Sequence, residues 1–329
     1  MTEKKKKKHT ALWVTGIVLL ALLAADIGVG FYMVSFAIGR SSASGVAVAP
    51  KAQTSDEANA QISGGWARIK DETERWYAAA RREEVAIQSQ DVLRLAADFY
   101  PSDSGSHLYL LAVHGYTGRR SNMVSYAPMY AQRGFHVLTP DMRSHGDSEG
   151  NYIGMGWLDR KDMLLWIDWI VRRDPQARIV LHGVSMGGAT VMMTAGESLP
   201  AQVAAAVEDC GYSSVWDEFA DELKYLFHLP KFPVLHTASV IARFRAGYSF
   251  REASSLNQIR KTEIPVMFIH GSEDNFVRAD MVYPLYEACP TKKAIYVAQG
   301  AGHGQAFFID PEEYERQVFD FLGGILPLA

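Results

Sequence analysis

Residues Arg178–Gly188 read RIVLHGVSMGG, and this stretch decides the fold. Arg178–His182 is a short apolar run of the kind found in strands buried on both faces. It leads into Gly183-Val184-Ser185-Met186-Gly187, a G-x-S-x-G spacing, after which a helical pattern runs from Met186 to about Ser198. A strand that turns this sharply into a helix tolerates no side chain on either flank of the serine, hence the two glycines. The turn lifts the Ser185 hydroxyl above the edge of the sheet and aims a helix N-terminus at whatever the oxygen attacks. The five-residue pattern recurs by chance; its place between a buried strand and a helix gives it weight.

Working outward, the same alternation repeats. Glu84–Ser89 and Val92–Tyr100 read as a hairpin, followed by strand runs at His107–Val113, His136–Pro140, Val203–Glu208, Pro265–His270 and Lys293–Val297. Helical patterns separate most of them, at about Met123–Arg133, Leu158–Arg173, Ala279–Ala288 and Pro311–Leu322. Strands alternating with helices predict an α/β fold with a mostly parallel, doubly wound sheet. One interval breaks the rhythm: about 211–262 holds irregular helical pieces and is long enough to form a lid.

The N-terminus has a different character. Residues 1–10 form a basic tail carrying Lys4–Lys8, and Ala11–Gly39 is a 29-residue run whose only charge is Asp26. Such a run exceeds the hydrocarbon thickness of about 30 Å and spans a bilayer with tilt. An aspartate at mid-membrane costs about 2.5–3.5 kcal/mol, which the fourteen Leu, Ile, Val and Phe residues of the run more than offset. A cleaved signal peptide is the competing reading, but its apolar region would be shorter, and Leu22 and Leu23 spoil a cut near Ala24 or Ala25. Lys4–Lys8 should therefore stay cytoplasmic, with residues 11–39 as an uncleaved signal-anchor in the lipid bilayer and the rest outside the cytoplasmic membrane. Residues 40–64 read as a flexible spacer, small and polar over most of their length, and residues 65–329 as the α/β domain, opening with a helix over roughly Gly65–Arg82.

Composition narrows the function classes. The 329 residues are 48% hydrophobic with net charge −4, the pattern of a foldable globular chain. Beyond residue 10, 28 basic residues face 36 acidic ones, and a body of charge −8 repels a phosphate backbone. Two cysteines make no disulfide framework; Cys210 and Cys289 fall at opposite ends of the expected sheet and should be free thiols. No metal-ligand spacing and no phosphate-binding glycine loop is present, so neither a metal, a cofactor nor a nucleic-acid partner is expected.

A serine hydroxyl needs an adjacent base, itself oriented by a carboxylate. The glycine-flanked His303, after the last strand run, is the expected base. Asp274, beyond the strand Pro265–His270, is the expected acid, with neighbouring Glu273 and the strand-end Glu208-Asp209 as competitors. The order Ser185, Asp274, His303 is that of strand-turn-helix nucleophiles. Amides of Met186, after the serine, and Tyr116, in the loop His114-Gly115-Tyr116-Thr117-Gly118, are the expected oxyanion donors. His114 is expected to brace that loop.

Together, His114-Gly115-Tyr116, Asp141-Met142-Arg143-Ser144-His145-Gly146-Asp147-Ser148, the Ser185 turn, His270 to Asp274 and Gly302-His303 resemble the α/β-hydrolase superfamily. More narrowly, they are similar to its branch of monoacylglycerol lipases, serine aminopeptidases and cinnamoyl esterases. The resemblance covers about Glu84 to the C-terminus; Ser144 departs from it, standing where that branch usually has glycine. It implies a helical lid over an apolar substrate pocket, for which Trp216, Phe219 and Tyr225 are candidate lining residues. It also implies hydrolysis of a small-molecule ester with an apolar acyl or aryl group. A serine aminopeptidase or amidase stays open, because Glu208, Asp209 or Asp217 could hold a substrate ammonium. A thioesterase is a further option. From a different class, a non-catalytic binding module on the same scaffold is also compatible, since fold alone does not prove activity.

Overall fold

The computed structural model describes residues 3–40 and 54–328. Among the described residues, eight strands form one sheet: β1 (Glu83–Gln88), β2 (Arg94–Tyr100), β3 (Leu108–Val113), β4 (His136–Pro140), β5 (Arg178–Val184), β6 (Val203–Asp209), β7 (Val266–Gly271) and β8 (Lys293–Ala298). Their spatial order is β1-β2-β4-β3-β5-β6-β7-β8. β1 and β2 form the expected antiparallel hairpin, β2 is antiparallel to β4, and the remaining pairs are parallel.

Alternate residues of β3 feed different apolar layers, because successive side chains of a strand point to opposite faces. Tyr109, Leu111 and Val113 join a core with Trp166 and Ile170 of α4 (Asp159–Arg173), Met192 of α5 (Met186–Ala195) and Leu285 of α9 (Val282–Ala288). Leu108, Leu110 and Ala112 join a second core with Ile69 of α2 (Asp56–Ala79), Tyr130 of α3 (Ala127–Ala131) and Tyr314 and Val318 of α11 (Pro311–Gly323). A sheet covered on both faces is why its central strands read as continuous apolar runs.

The interval expected to be a lid contains α6 (Val215–Phe227), α7 (Val234–Arg245) and α8 (Ser255–Ile259); α10 (Ala306–Ile309) precedes α11. Ser214 caps α6 by accepting a bond from the Asp217 amide at 3.0 Å, and Asp217 and Glu218 lie in its first turn, where acidic groups favour the helix dipole.

Two boundaries differ from the sequence reading. α2 starts at Asp56, not near Gly65, because Ser55 caps it by accepting from the Ala58 amide at 3.2 Å. The spacer assigned to 40–64 is therefore helical from 56 onward, and its residues 41–53 lie outside the described residues. At the other end of that interval, Arg40 is firmly held: its amide donates to Asn151 O at 2.9 Å and its guanidinium to Ser148 O at 2.9 Å and Gly150 O at 3.1 Å.

Those contacts belong to a larger one. α1 (Glu3–Ile38) is a single helix whose part His9–Ile38, of mean hydropathy 2.3, is long and apolar enough to cross a membrane. Its last turns enter the first apolar core through Val34 and Ile38. Gly30 faces α7 so closely that a Cβ there would sit 2.8 Å from Ile241 Cδ1 and 2.9 Å from Thr237 Cγ2. Asp26, read from the sequence as an isolated charge, accepts a hydrogen bond from the Thr237 hydroxyl.

The loop Asp141–Ser148 explains its serine. Ser144 adopts φ +65°, a left-handed conformation that glycine takes most easily. Its hydroxyl donates to Tyr152 O at 2.8 Å and its amide to Glu149 O at 2.9 Å, bonds that hold a side chain there.

Candidate active site

The turn between β5 and α5 is the site's foundation. Ser185 sits at φ +58°, ψ −119°, outside the ordinary allowed regions. The backbone crowding that enforces this is visible at Gly187, where a Cβ would lie 2.0 Å from the Val113 carbonyl oxygen. Strain of this kind, about 1–3 kcal/mol per residue, persists only where the surroundings over-determine it.

Three distant residues meet at that turn. The Ser185 hydroxyl lies 2.8 Å from His303 Nε2, and His303 Nδ1 lies 2.8 Å from Asp274 Oδ2. Asp274, at the end of β7, also accepts from the Phe276 and Val277 amides through Oδ1 at 3.0 and 3.1 Å. Burial would push its carboxyl up, but the charge and hydrogen bonds of His303 and His270 outweigh that and hold it below the usual carboxylate range. An ionised Asp274 accepts a hydrogen bond from His303 Nδ1–H, which leaves Nε2 as an acceptor for the serine proton.

The competing acids have other partners. Asp209 Oδ2 accepts from the Tyr314 hydroxyl at 3.0 Å, and burial pushes its carboxyl up to about 6. Glu208 accepts from the Gly211 amide at 2.9 Å, and burial pushes it up to about 8. Glu273 is exposed beside the loop. His270 was not singled out from the sequence: its Nε2 lies 3.3 Å from Asp274 Oδ2 and 3.0 Å from Val277 O, a second buried imidazole on the same carboxylate. Its place four residues before Asp274, at the end of the β7 run, is the signal the sequence carries for it.

Both cysteines are buried free thiols. Cys210 lies within 4.8 Å of the ligand atoms of Asp274 and His303, but burial pushes its thiol well above the ordinary range. The imidazole and carboxylate of this group are bonded to each other.

The loop after β3 is braced as expected. His114 Nδ1 donates to Gly115 O at 2.8 Å, and the Met142 amide donates to His114 Nε2 at 3.0 Å. Burial holds that imidazole neutral, its value lowered to about 3. Gly115 lies against the serine, since a Cβ on it would be 3.2 Å from Ser185 Cβ. Met186 is the first residue of α5, where backbone N–H groups have no acceptor within the helix.

Tyr116, Ser185 and Met186 line one cavity of about 100 Å³. Of the three aromatic residues expected to line it, only Phe219 does. Trp216 is instead taken up by a T-shaped contact with His236 and by Arg251, 3.6 Å above its ring, and Tyr225 is exposed. The inward row of α6 includes Phe219, Leu223 and Leu226, an i, i+4, i+7 spacing legible in the sequence. Glu218 and Glu222 of the same helix line the cavity too, whereas Asp217 is held by the Ser213 and Ser214 hydroxyls at 3.1 and 2.6 Å. Part of the remaining wall comes from α1, through Met33, Phe36 and Ala37, which the sequence reading places wholly in the membrane anchor.

A sharp strand-to-helix turn carrying a serine at the C-terminal edge of a parallel sheet, with a histidine and an acid supplied by the following strand ends, is the arrangement of a hydrolase-type α/β scaffold. Residues 110–317 match the Alpha/beta hydrolase family, and the chain belongs to it. It is 28% identical over 214 residues to the uncharacterized protein YqkD of Bacillus subtilis, covering 65% of this chain and 70% of that one. It is 24% identical over 216 residues to the lysophosphatidylserine lipase ABHD12 of Danio rerio, 60% of this chain and 52% of that longer protein. Among solved structures, the Pyrococcus furiosus esterase Pf2001 superimposes with a TM-score of 0.61 at 25% identity, covering 75% of this chain and 94% of the esterase.

Proposed function

We propose that this protein is a membrane-anchored serine hydrolase that cleaves carboxylic esters with an apolar acyl or aryl group. The observation that carries the reading is the unbroken relay Ser185–His303–Asp274, two 2.8 Å hydrogen bonds opening into an apolar cavity. In this mechanism Ser185 Oγ attacks the ester carbonyl carbon while His303 Nε2 takes its proton. Asp274 holds the imidazole in the tautomer that can accept it and stabilises the imidazolium. The amides of Met186 and Tyr116 hold the negative oxygen of the tetrahedral intermediate. His303 then protonates the departing alcohol, leaving an acyl-serine that water hydrolyses by the same route in reverse order. The esterase and lipase named among its relatives support this class of substrate.

The anchoring half of the proposal rests on α1. Lys4–Lys8 stay cytoplasmic, residues 11–39 remain attached as a signal-anchor, and the hydrolase domain lies outside the cytoplasmic membrane. A cleaved leader would have no reason to build part of the domain, whereas α1 contributes Val34 and Ile38 to its core.

Labelling with a fluorophosphonate and assay on p-nitrophenyl butyrate test the chemistry. Ser185→Ala is expected to abolish labelling and to lower kcat by about 10⁶. Labelling that persists in that variant overturns the assignment. A second reading, hydrolysis of amides bearing a free amine, is favoured by one observation: Glu218 and Glu222 place two carboxyl groups on the cavity wall. Rates on an ester and its matched aminoacyl amide separate the two.

A further inference from the structure

The last turns of α1 and the lid do more than hold the domain at a membrane. Met33, Phe36 and Ala37 line the same cavity as Ser185, together with Leu226 and Phe227 of α6 and Val234, Leu235 and Ala238 of α7. Phe36 meets Phe227 edge-to-face at 5.6 Å. The cavity wall is thus continuous with a helix that is otherwise exposed and apolar.

Helix length puts the lipid surface just below the foot of that wall. From Ala11 to Asp26 there are sixteen residues, about 24 Å of helix, less than the hydrocarbon thickness of about 30 Å. A layer beginning after the basic tail therefore extends past Asp26, to about Gly30. Yet Asp26 is bonded to Thr237, and Gly30 packs on Thr237 and Ile241. The N-terminal half of α7 must then lie at or below the lipid surface, and the preceding loop with it.

Large apolar side chains stand exposed in that loop and along α7. Phe232, Val240 and Phe244 are 73%, 57% and 85% exposed. Val240 and Phe244 follow Thr237 at i+3 and i+7, so they flank the face that meets α1. Arg245, at the C-terminal end of α7, lies over the rings of Phe31 and Tyr152, a position from which a guanidinium reaches the polar surface while its stem covers apolar groups. In water, three large exposed apolar side chains beside an apolar helix form a surface that needs a cover. The bilayer already holding α1 supplies it.

We infer that the lid is seated in the bilayer and that a lipid-dissolved ester passes its acyl chain from the leaflet to Ser185 along the wall formed by Met33, Phe36 and Ala37. This rests on the serine-hydrolase reading and deepens it: the substrate is a bilayer-resident, acyl-chain ester, and α1 helps to set which chain fits. Ala37 sits where its carbonyl accepts from the Tyr116 hydroxyl at 2.8 Å, at the pocket end of the route.

The test uses the full chain reconstituted in phosphatidylcholine vesicles. Phe232→Cys, labelled with an environment-sensitive fluorophore while the two native thiols stay buried, is expected to be quenched by lipids brominated on their acyl chains. No quenching overturns the seating of the lid. The double variant Phe232→Asp/Phe244→Asp is expected to keep fluorophosphonate labelling and p-nitrophenyl butyrate hydrolysis. Its hydrolysis of a vesicle-borne monoacylglycerol with an eighteen-carbon chain is expected to fall about tenfold. An unchanged rate on that lipid overturns the entry route while leaving the hydrolase reading standing. If the parent protein is neither labelled nor active on either ester, it is the hydrolase reading that fails. Ala37→Trp is expected to shift preference from eighteen-carbon toward shorter chains; an unaltered chain-length profile removes α1 from specificity.

Discussion

The Tyr116 hydroxyl donates a 2.8 Å hydrogen bond to the carbonyl oxygen of Ala37, so a residue beside Ser185 is tied to the end of the N-terminal helix. The main chain of Tyr116 is a proposed oxyanion donor, and its side chain reports where α1 ends. Tyr116→Phe removes this bond but not the amide. Stability is expected to fall by about 0.5–1.5 kcal/mol, with kcat on p-nitrophenyl butyrate changed less than about fivefold, an energy difference below 1 kcal/mol. Thermal unfolding in detergent and the esterase assay check both figures.

The choice between acids gives a sharper experiment. Asp274→Asn leaves the geometry but favours the wrong imidazole tautomer, and kcat is expected to fall by about 10⁴. Asp209→Asn touches the Tyr314 bond instead. Its expected cost is stability, about 1–3 kcal/mol, with the rate within an order of magnitude of the parent. Comparable rate losses in the two variants would mean that the acid has been misassigned.

Glu208 makes stability depend on pH. Its ordinary value of 4.5 is raised by burial to about 8 in the folded chain. Between those values the folded state binds the proton and the unfolded state does not, so this group's contribution is fully present below about 4.5 and is lost as pH rises through 8. Glu208→Gln cannot ionise. Its stability relative to the parent is expected to rise with pH across that window, by at most about 1.4 kcal/mol per pH unit, and then to level off. Chemical denaturation at pH 5, 6.5 and 8 measures the slope; a flat difference refutes it.

Ser144 offers a test of backbone accounting. Glycine would relieve the left-handed conformation but lose the hydroxyl bond to Tyr152. The two effects are similar in size and opposite in sign, so Ser144→Gly is expected to leave stability within about 1 kcal/mol of the parent. Denaturant midpoints of the two proteins decide it.

Much of the architecture was legible because it rests on local signals. Strands buried on both faces show as apolar runs such as Leu108–Val113, and the strand-glycine-serine-glycine-helix succession at Ser185 is short-range geometry. His303 was recognisable from its glycine neighbours after the last strand. Boundaries set by capping were less so: Ser55 starts α2 nine residues before the first expected turn, where Ala58 and Ile62 are the only buried positions among small and polar residues that read as a spacer. Trp216 and Tyr225 were misjudged for the cavity because aromatic character alone does not say which way a lid helix faces.

By itself, then, the amino-acid order determined most of the element succession, a mostly parallel sheet and the placing of Ser185 and His303 at strand ends, because each depends on patterns within a few residues; among the acids it left Asp274 beside its competitors. Only the tertiary structure decided that His270 shares the Asp274 carboxylate, that Tyr314 occupies Asp209, and that α1 builds a cavity wall. His270 is four residues from Asp274, but the other outcomes depend on contacts between distant segments, as the bond of Asp26 with Thr237 does. An apolar helix long enough for a membrane carries no mark of the protein surface its last turns will meet, and that surface exists only once the chain has folded.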